Sequence, residues 1–100
     1  MLTVEEIKQK LIPIFDKNNI NKAVVFGSYA KNQARANSDI DLLIDADESV
    51  RGFKFFGILD EVITTLGTKV DLVVQRHLIN GDLLDREIKM TGVVIYERAN

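Results

Sequence analysis

The chain reads as an α/β (α+β) domain, a mixed β-sheet with helices packed on one face. Two observations predict this. Short apolar runs of strand length alternate with longer runs whose apolar residues recur at helical spacing, in the order α-β-(α)-β-α-β-α-β. The link between the first two strands is only about a dozen residues, barely enough for a parallel crossover even without a full helix. An antiparallel or mixed sheet is therefore expected rather than a doubly wound one. The 100 residues, 46% apolar and 28% charged, are ordinary globular usage and fill one domain, residues 1–100.

Taken in order, the first helix starts at Thr3. Thr3-Val4-Glu5-Glu6 has the capping-box pattern, and Val4, Ile7, Leu11 and Ile14 recur at helical spacing. Pro13 cannot donate to the carbonyl of Gln9, so a kink or early end is expected there. Lys17 to Asn21 reads as a turn. Ala23-Val24-Val25-Phe26, ending at Gly27, is a buried strand. Tyr29 to Arg35 is a candidate short helix. Asp39 to Asp45 is the second strand, with Ile40, Leu42 and Ile44 on one face and Leu43 on the other, so it is covered on both sides beyond the carboxylates. A long helix follows from about Val50 to Leu66, its stripe formed by Phe55, Phe56, Leu59, Val62, Ile63 and Leu66, with Gly67 as its C-cap. Lys69 to Gln75 is the third strand. Asn80 is a candidate cap for a last helix facing inward through Leu83, Leu84 and Ile88 and ended by Gly92. Val93 to Tyr96 is an edge-like fourth strand.

The chemistry gathers around one pair of residues. Asp39 and Asp41 head an otherwise apolar strand, and residues two apart in a strand point to the same face. Asp is disfavoured in strands. Two carboxylates side by side repel unless a cation lies between them, and Mg²⁺ favours one or two carboxylates plus substrate phosphates. The bland alternative is that they start the strand and face water. Asp71 is a lone acid in the third apolar run, costly if buried unless paired or metal-bound. Beside the second strand it would face the same way. Three carboxylates would allow two-metal chemistry, with Asp71 as the candidate to take the proton of a nucleophile. The alternative is that it meets Lys69 or a backbone donor at a strand end.

Gly27-Ser28 follows a strand and precedes a candidate helix. Such a turn lets a phosphate approach the backbone, although Gly-Ser also simply forms turns. Lys31 and Arg35, four apart, could screen triphosphate charge or form a solvated cationic face. His77, the only histidine, is read as a bystander in a loop, and Asp45, Asp47 and Glu48 as a solvated loop. Phe55-Phe56 is read as core. Tyr29 is open between stacking on a base and a structural role.

Composition removes other classes. Net charge is −2, a poor match for a non-specific nucleic-acid binder. The absence of cysteine excludes disulfides and thiolate zinc sites. The N-terminus lacks the features of a signal peptide and no apolar stretch approaches a membrane span, so a cytoplasmic location without membrane contact is expected.

The wording Val25-Phe26-Gly27-Ser28-Tyr29-Ala30 through Ala34-Arg35, then Ser38-Asp39-Ile40-Asp41-Leu42-Leu43, resembles the minimal nucleotidyltransferase (MNT) family within the DNA polymerase β superfamily. The resemblance covers nearly the whole chain. It implies the polymerase β palm-like fold, Mg²⁺ (or Mn²⁺) on Asp39 and Asp41, Asp71 as the third carboxylate, and the phosphates of ATP held by Gly27 and Ser28. Lys31 and Ser38, within the same motif, join the candidate nucleotide-binding set. Two departures are visible. Lys31-Asn32 stands where many members have Arg-Gly, keeping the charge but not the bidentate fork. Asn37 stands where Pro is frequent.

The resemblance further implies a partnership with a HEPN-type toxin, in which the MNT protein is the antitoxin and transfers AMP from ATP to a toxin tyrosine. The size of the chain agrees, since it makes a nucleotide-binding half without an acceptor domain. A homo- or hetero-oligomer is compatible with this. The competing readings are an antitoxin that neutralises its partner by occlusion, and a transferase acting on a small hydroxylated molecule.

Overall fold

A computed structural model describes residues 1–98. The elements run α1 (Val4–Lys17), β1 (Ile20–Phe26), α2 (Gly27–Ala30), β2 (Ile40–Ala46), α3 (Phe53–Leu66), β3 (Val70–Val74), a 3₁₀ turn (Gln75–His77), α4 (Leu83–Thr91) and β4 (Val93–Glu97). The four strands form one mixed sheet in the order β3-β2-β1-β4. β1 is antiparallel to both β2 and β4, and β2 is parallel to β3. The short β1–β2 link thus joins antiparallel neighbours, as expected from its length, and α3 makes the β2–β3 crossover. β4 is an edge strand, as expected.

Strand parity divides the core in two. Ala23, Val25, Ile40, Leu42, Ile44, Leu72 and Val74 face the main cluster, where α1 and α3 pack through Ile7, Leu11, Phe15, Ile58 and Val62. Val24, Phe26 and Leu43, the alternate residues, face the opposite side and meet Ile88 of α4. The two long helices therefore share one face, as the sequence predicts. The short α4 covers part of the other face, which the sequence reading does not foresee. Its approach to β1 is tight. A Cβ on Gly92 would sit 2.7 Å from Val24 Cγ1 and 2.4 Å from the Ile88 carbonyl oxygen.

The helix ends follow local chemistry. Thr3 and Glu6 form the expected reciprocal capping box, each bond 3.0 Å. α1 runs through Pro13 to Lys17 without ending early. α3 closes on Gly67, whose left-handed φ of 71° lets its N–H reach the Ile63 carbonyl.

Four local expectations are corrected. The helix after β1 occupies Gly27–Ala30 rather than Tyr29–Arg35, because Asn32 takes a φ of 58° and breaks it, so Lys31 and Arg35 share no helical face. α3 starts at Phe53, not Val50, because Gly52 turns the chain with φ 58°. Its inner stripe is Ile58, Val62 and Leu66, leaving Phe56 64% exposed, so that residue is not core. α4 is capped by Asp82, whose carboxylate accepts from the Asp85 N–H at 2.8 Å, not by Asn80, and Leu83 faces out.

Candidate functional site

The acidic residues meet at one end of the sheet. Phe26 of β1 pairs with Asp41 of β2, and Asp41 pairs with Asp71 of β3. Residues in register across neighbouring strands share a face. Asp41 and Asp71 therefore project together on the side that α4 partly covers, and Asp39 joins them two residues before Asp41. Asp71 could have fallen on the opposite face; it does not. Asp39 and Asp71 are exposed and Asp41 is half-buried.

Asp39 and Asp71 are both close enough to act on Asp41. Burial raises the pKa of Asp41 above its ordinary value, and the charges of Asp71, Asp39 and Glu87 raise it further. Glu87 lies on α4 and carries no motif signal in the sequence. Among the described residues no three acidic or imidazole side chains are gathered tightly enough to enclose a metal ion by themselves. The cluster is an open arrangement of oxygen donors rather than a closed cage.

Gly27 makes the cluster possible. Its φ is +70°, and a Cβ there would lie 2.2 Å from Asp41 Oδ2. A side chain here would displace that carboxylate, so glycine serves both the conformation and the place of Asp41. Gly27→Ala is expected to lower stability by about 1–3 kcal/mol through strain at this φ, and to push the Asp41 carboxylate aside. Denaturant melts of the variant check this; a wild-type midpoint would mean that the turn relaxes freely.

The other predicted residues divide. Ser28 lies in α2, beside Gly27, and is only half-buried. Its carbonyl accepts from the Gln33 N–H at 2.8 Å, which folds the following loop back. Ser38 is tied into the turn before Asp39. Its hydroxyl accepts from the Arg35 N–H at 2.8 Å and its N–H donates to the Arg35 carbonyl at 2.9 Å. One donor of the hydroxyl stays available. Lys31 is paired with Glu87 at 2.9 Å. Tyr29 is buried in the main core, which favours its structural role. His77 is exposed in the 3₁₀ turn, away from the carboxylates in sequence register.

Two further residues escape sequence reasoning. Arg76 clamps the β2–α3 loop by donating to the carbonyls of Asp47 at 3.1 Å and Val50 at 2.7 Å. Asp85 accepts from the Gly81 N–H at 2.8 Å, which holds its carboxyl below the usual range, with Lys89 adding to the effect. Its signal was available in the Asp82-x-x-Asp85 spacing. A concavity of about 620 Å³ lies on the same sheet face but is lined by Val24, Leu43, Arg76, Ile88 and Lys89, not by the acidic cluster. The negative charge is concentrated at the carboxylates, outside this hollow.

Comparison with known proteins agrees with the geometry. A family model described as polymerase β nucleotidyltransferase matches residues 9–100. The protein adenylyltransferase MntA of Thermococcus cleftensis is 34% identical over 85 residues, covering 81% of this chain and 86% of that protein. A Methanocaldococcus jannaschii protein that carries the name protein adenylyltransferase provisionally is 36% identical over 77 residues, covering 77% and 83%. In fold, the chain is similar to a toxin–antitoxin crystal structure with AMP-PNP, at a TM-score of 0.78 and 22% identity over 91% of this chain and 73% of that one. It is also similar to the complex of a tri-AMPylated Shewanella oneidensis HEPN toxin with its MNT antitoxin, at 0.70 and 20% over 92% and 71%. On the strength of the family model and these relatives, the chain belongs to the polymerase β nucleotidyltransferase family.

Proposed function

We propose that this protein is the antitoxin of a HEPN-type toxin and transfers AMP from ATP to a tyrosine hydroxyl of that partner. The observation that carries the proposal is the register Phe26–Asp41–Asp71, which sets two carboxylates on one face beside the Gly27 turn, with Asp39 two residues before Asp41. The nucleotide is supported by the AMP-PNP in a structure of similar fold. The acceptor is supported by relatives named protein adenylyltransferases and by the AMPylated toxin of a similar complex.

The residues fit a divalent cation. The donors are all carboxylate oxygens, the kind Mg²⁺ and Mn²⁺ select. Burial first, and then the charges of Asp71, Asp39 and Glu87, oppose ionisation of Asp41, and a bound cation would favour it. The exposure of Asp39 and Asp71 leaves room for water and phosphate oxygens beside them. Asp39, Asp41 and Asp71 would hold the ion, which when bound neutralises triphosphate charge and polarises the reacting phosphate.

The chain's own groups supply the rest. Gly27 lets the backbone approach the phosphates, and Ser28 offers a hydroxyl and an N–H that has no intrahelical partner in the first turn. Lys31 and the free donor of Ser38 add to phosphate binding. Asp71 takes the proton of the tyrosine hydroxyl as its oxygen bonds to the α-phosphorus. The bond from that phosphorus to the bridging oxygen breaks and pyrophosphate leaves. The modified toxin then carries a bulky anion, which can block an RNA-cleaving site by charge and volume.

Intact mass spectrometry of the HEPN partner tests this. After incubation with ATP, Mg²⁺ and the protein, the partner should gain one or more AMP masses, and omission of any one component should remove the gain. A neutralised toxin with unchanged mass would replace transfer by occlusion.

A further inference from the structure

Lys31 and Glu87 come from the two elements that flank the acidic cluster. Lys31 directly follows α2, whose first residue, Gly27, abuts the Asp41 carboxylate. Glu87 sits in the middle of α4, and its Oε1 meets Lys31 Nζ at 2.9 Å. The two side chains are 38% and 35% exposed, so water screens the pair and leaves it open to exchange. Glu87 lies near enough to the cluster for its charge to reach Asp41. Lys31 thus pairs with the carboxylate of α4 beside the aspartates.

We propose that Glu87 is a positioning residue that holds Lys31 in the free protein and releases it to the triphosphate when ATP binds. This rests on the nucleotide-binding reading given above. Lysine suits such an exchange. Its ammonium is a point charge on a flexible stem, without the planar fork that would lock an arginine to the carboxylate. A triphosphate offers more negative charge than one carboxylate, so the ammonium is drawn from Glu87 to the ligand. Until then, Glu87 keeps the stem of Lys31 beside the site instead of free in solvent. The exchange has a cost that can be measured, because ATP must compete with Glu87 for Lys31. Removing the charge of Glu87 should therefore tighten nucleotide binding, whereas removing Lys31 should weaken it.

The test is calorimetric titration of ATP in Mg²⁺, without acceptor, into the wild type, Glu87→Gln, Lys31→Met and the double variant. Thermal melts confirm folding, which an exposed ion pair barely influences. Glu87→Gln is expected to tighten ATP about two- to fivefold, the scale of an exposed ion pair. Lys31→Met is expected to weaken binding, and adding Glu87→Gln to it should give a smaller gain than in the wild type, because only a solvent-screened repulsion is then lifted. An unchanged or weaker affinity in Glu87→Gln overturns the proposal. So does an equal gain in the Lys31→Met background, which would make Glu87 a remote repulsive charge and nothing more. If the wild type binds no ATP in Mg²⁺, the nucleotide-site reading itself falls; if it binds and the cycle is additive, only the exchange falls.

Discussion

Asp39→Ala and Asp41→Ala should each abolish Mg²⁺-dependent ATP binding and reduce AMP transfer by at least about 10³-fold, the several kcal/mol that a metal ion supplies to a developing phosphoryl charge. The cause is electrostatic. Without a cation, the site presents Asp39, Asp41, Asp71 and Glu87 to a polyanion. With either aspartate gone, the remaining donors hold an ion less well and the triphosphate loses its bridge. Titrating ATP into the wild type in Mg²⁺ and again in EDTA decides the matter; equal affinity in the two buffers would rule out the proposed role.

A second signature distinguishes this from general damage. The pKa of Asp41 is raised in the folded protein, so between its unfolded and folded values the native state binds more protons than the unfolded state. The metal-free protein therefore loses stability as pH rises through that window. Above that window Asp41 is ionised and its full cost is present. Asp41→Asn removes that cost, so the metal-free variant should melt higher than the wild type above the window, with the gap closing in acid. Added Mg²⁺ should raise the wild-type midpoint and leave the variant nearly unmoved. The same substitution would thus stabilise the fold and destroy the activity, as expected where a site holds like charges together.

Much of this was legible because it is local. Short apolar runs located the strands, and a two-residue spacing put Asp39 and Asp41 on one face before any pairing was known. Asp71 stood out because an acid inside an apolar run needs a reason. Gly27 was legible as a turn, but its closeness to Asp41 depends on the antiparallel register of β1 and β2, which spacing alone does not give. The end of α2 was missed because Ala, Lys and Gln favour helix, whereas one asparagine at φ 58° decides otherwise. Phe56 was misplaced because a stripe rich in apolar residues admits more than one inward direction, and tertiary packing chose Ile58. Glu87 and Arg76 were invisible. Their partners, Lys31 and the β2–α3 loop, are far away along the chain, and nothing in a single sequence links them.

Asp71→Asn should separate chemistry from binding. Asp71 lies on the edge strand β3, exposed, in parallel register with Asp41. That places it at the open side of the cluster, where an acceptor hydroxyl can approach without crossing the glycine turn. An amide of the same shape still accepts a hydrogen bond through its oxygen but cannot take up a proton. Asp39 and Asp41 remain, so ATP affinity in Mg²⁺ should change by only a few-fold, whereas transfer should fall by about 10²–10⁴, the usual worth of a general base. Single-turnover transfer to the HEPN partner, followed by mass spectrometry alongside ATP titration, measures both quantities on one preparation. The pH profile adds a second readout. Raising the pH deprotonates more of the tyrosine in solution, so the deficit of the variant should shrink as pH approaches the phenol range, near pH 10. If instead ATP binding collapses while transfer from bound ATP proceeds at the wild-type rate, Asp71 belongs to the nucleotide site alone, and the proton of the acceptor must leave by another route.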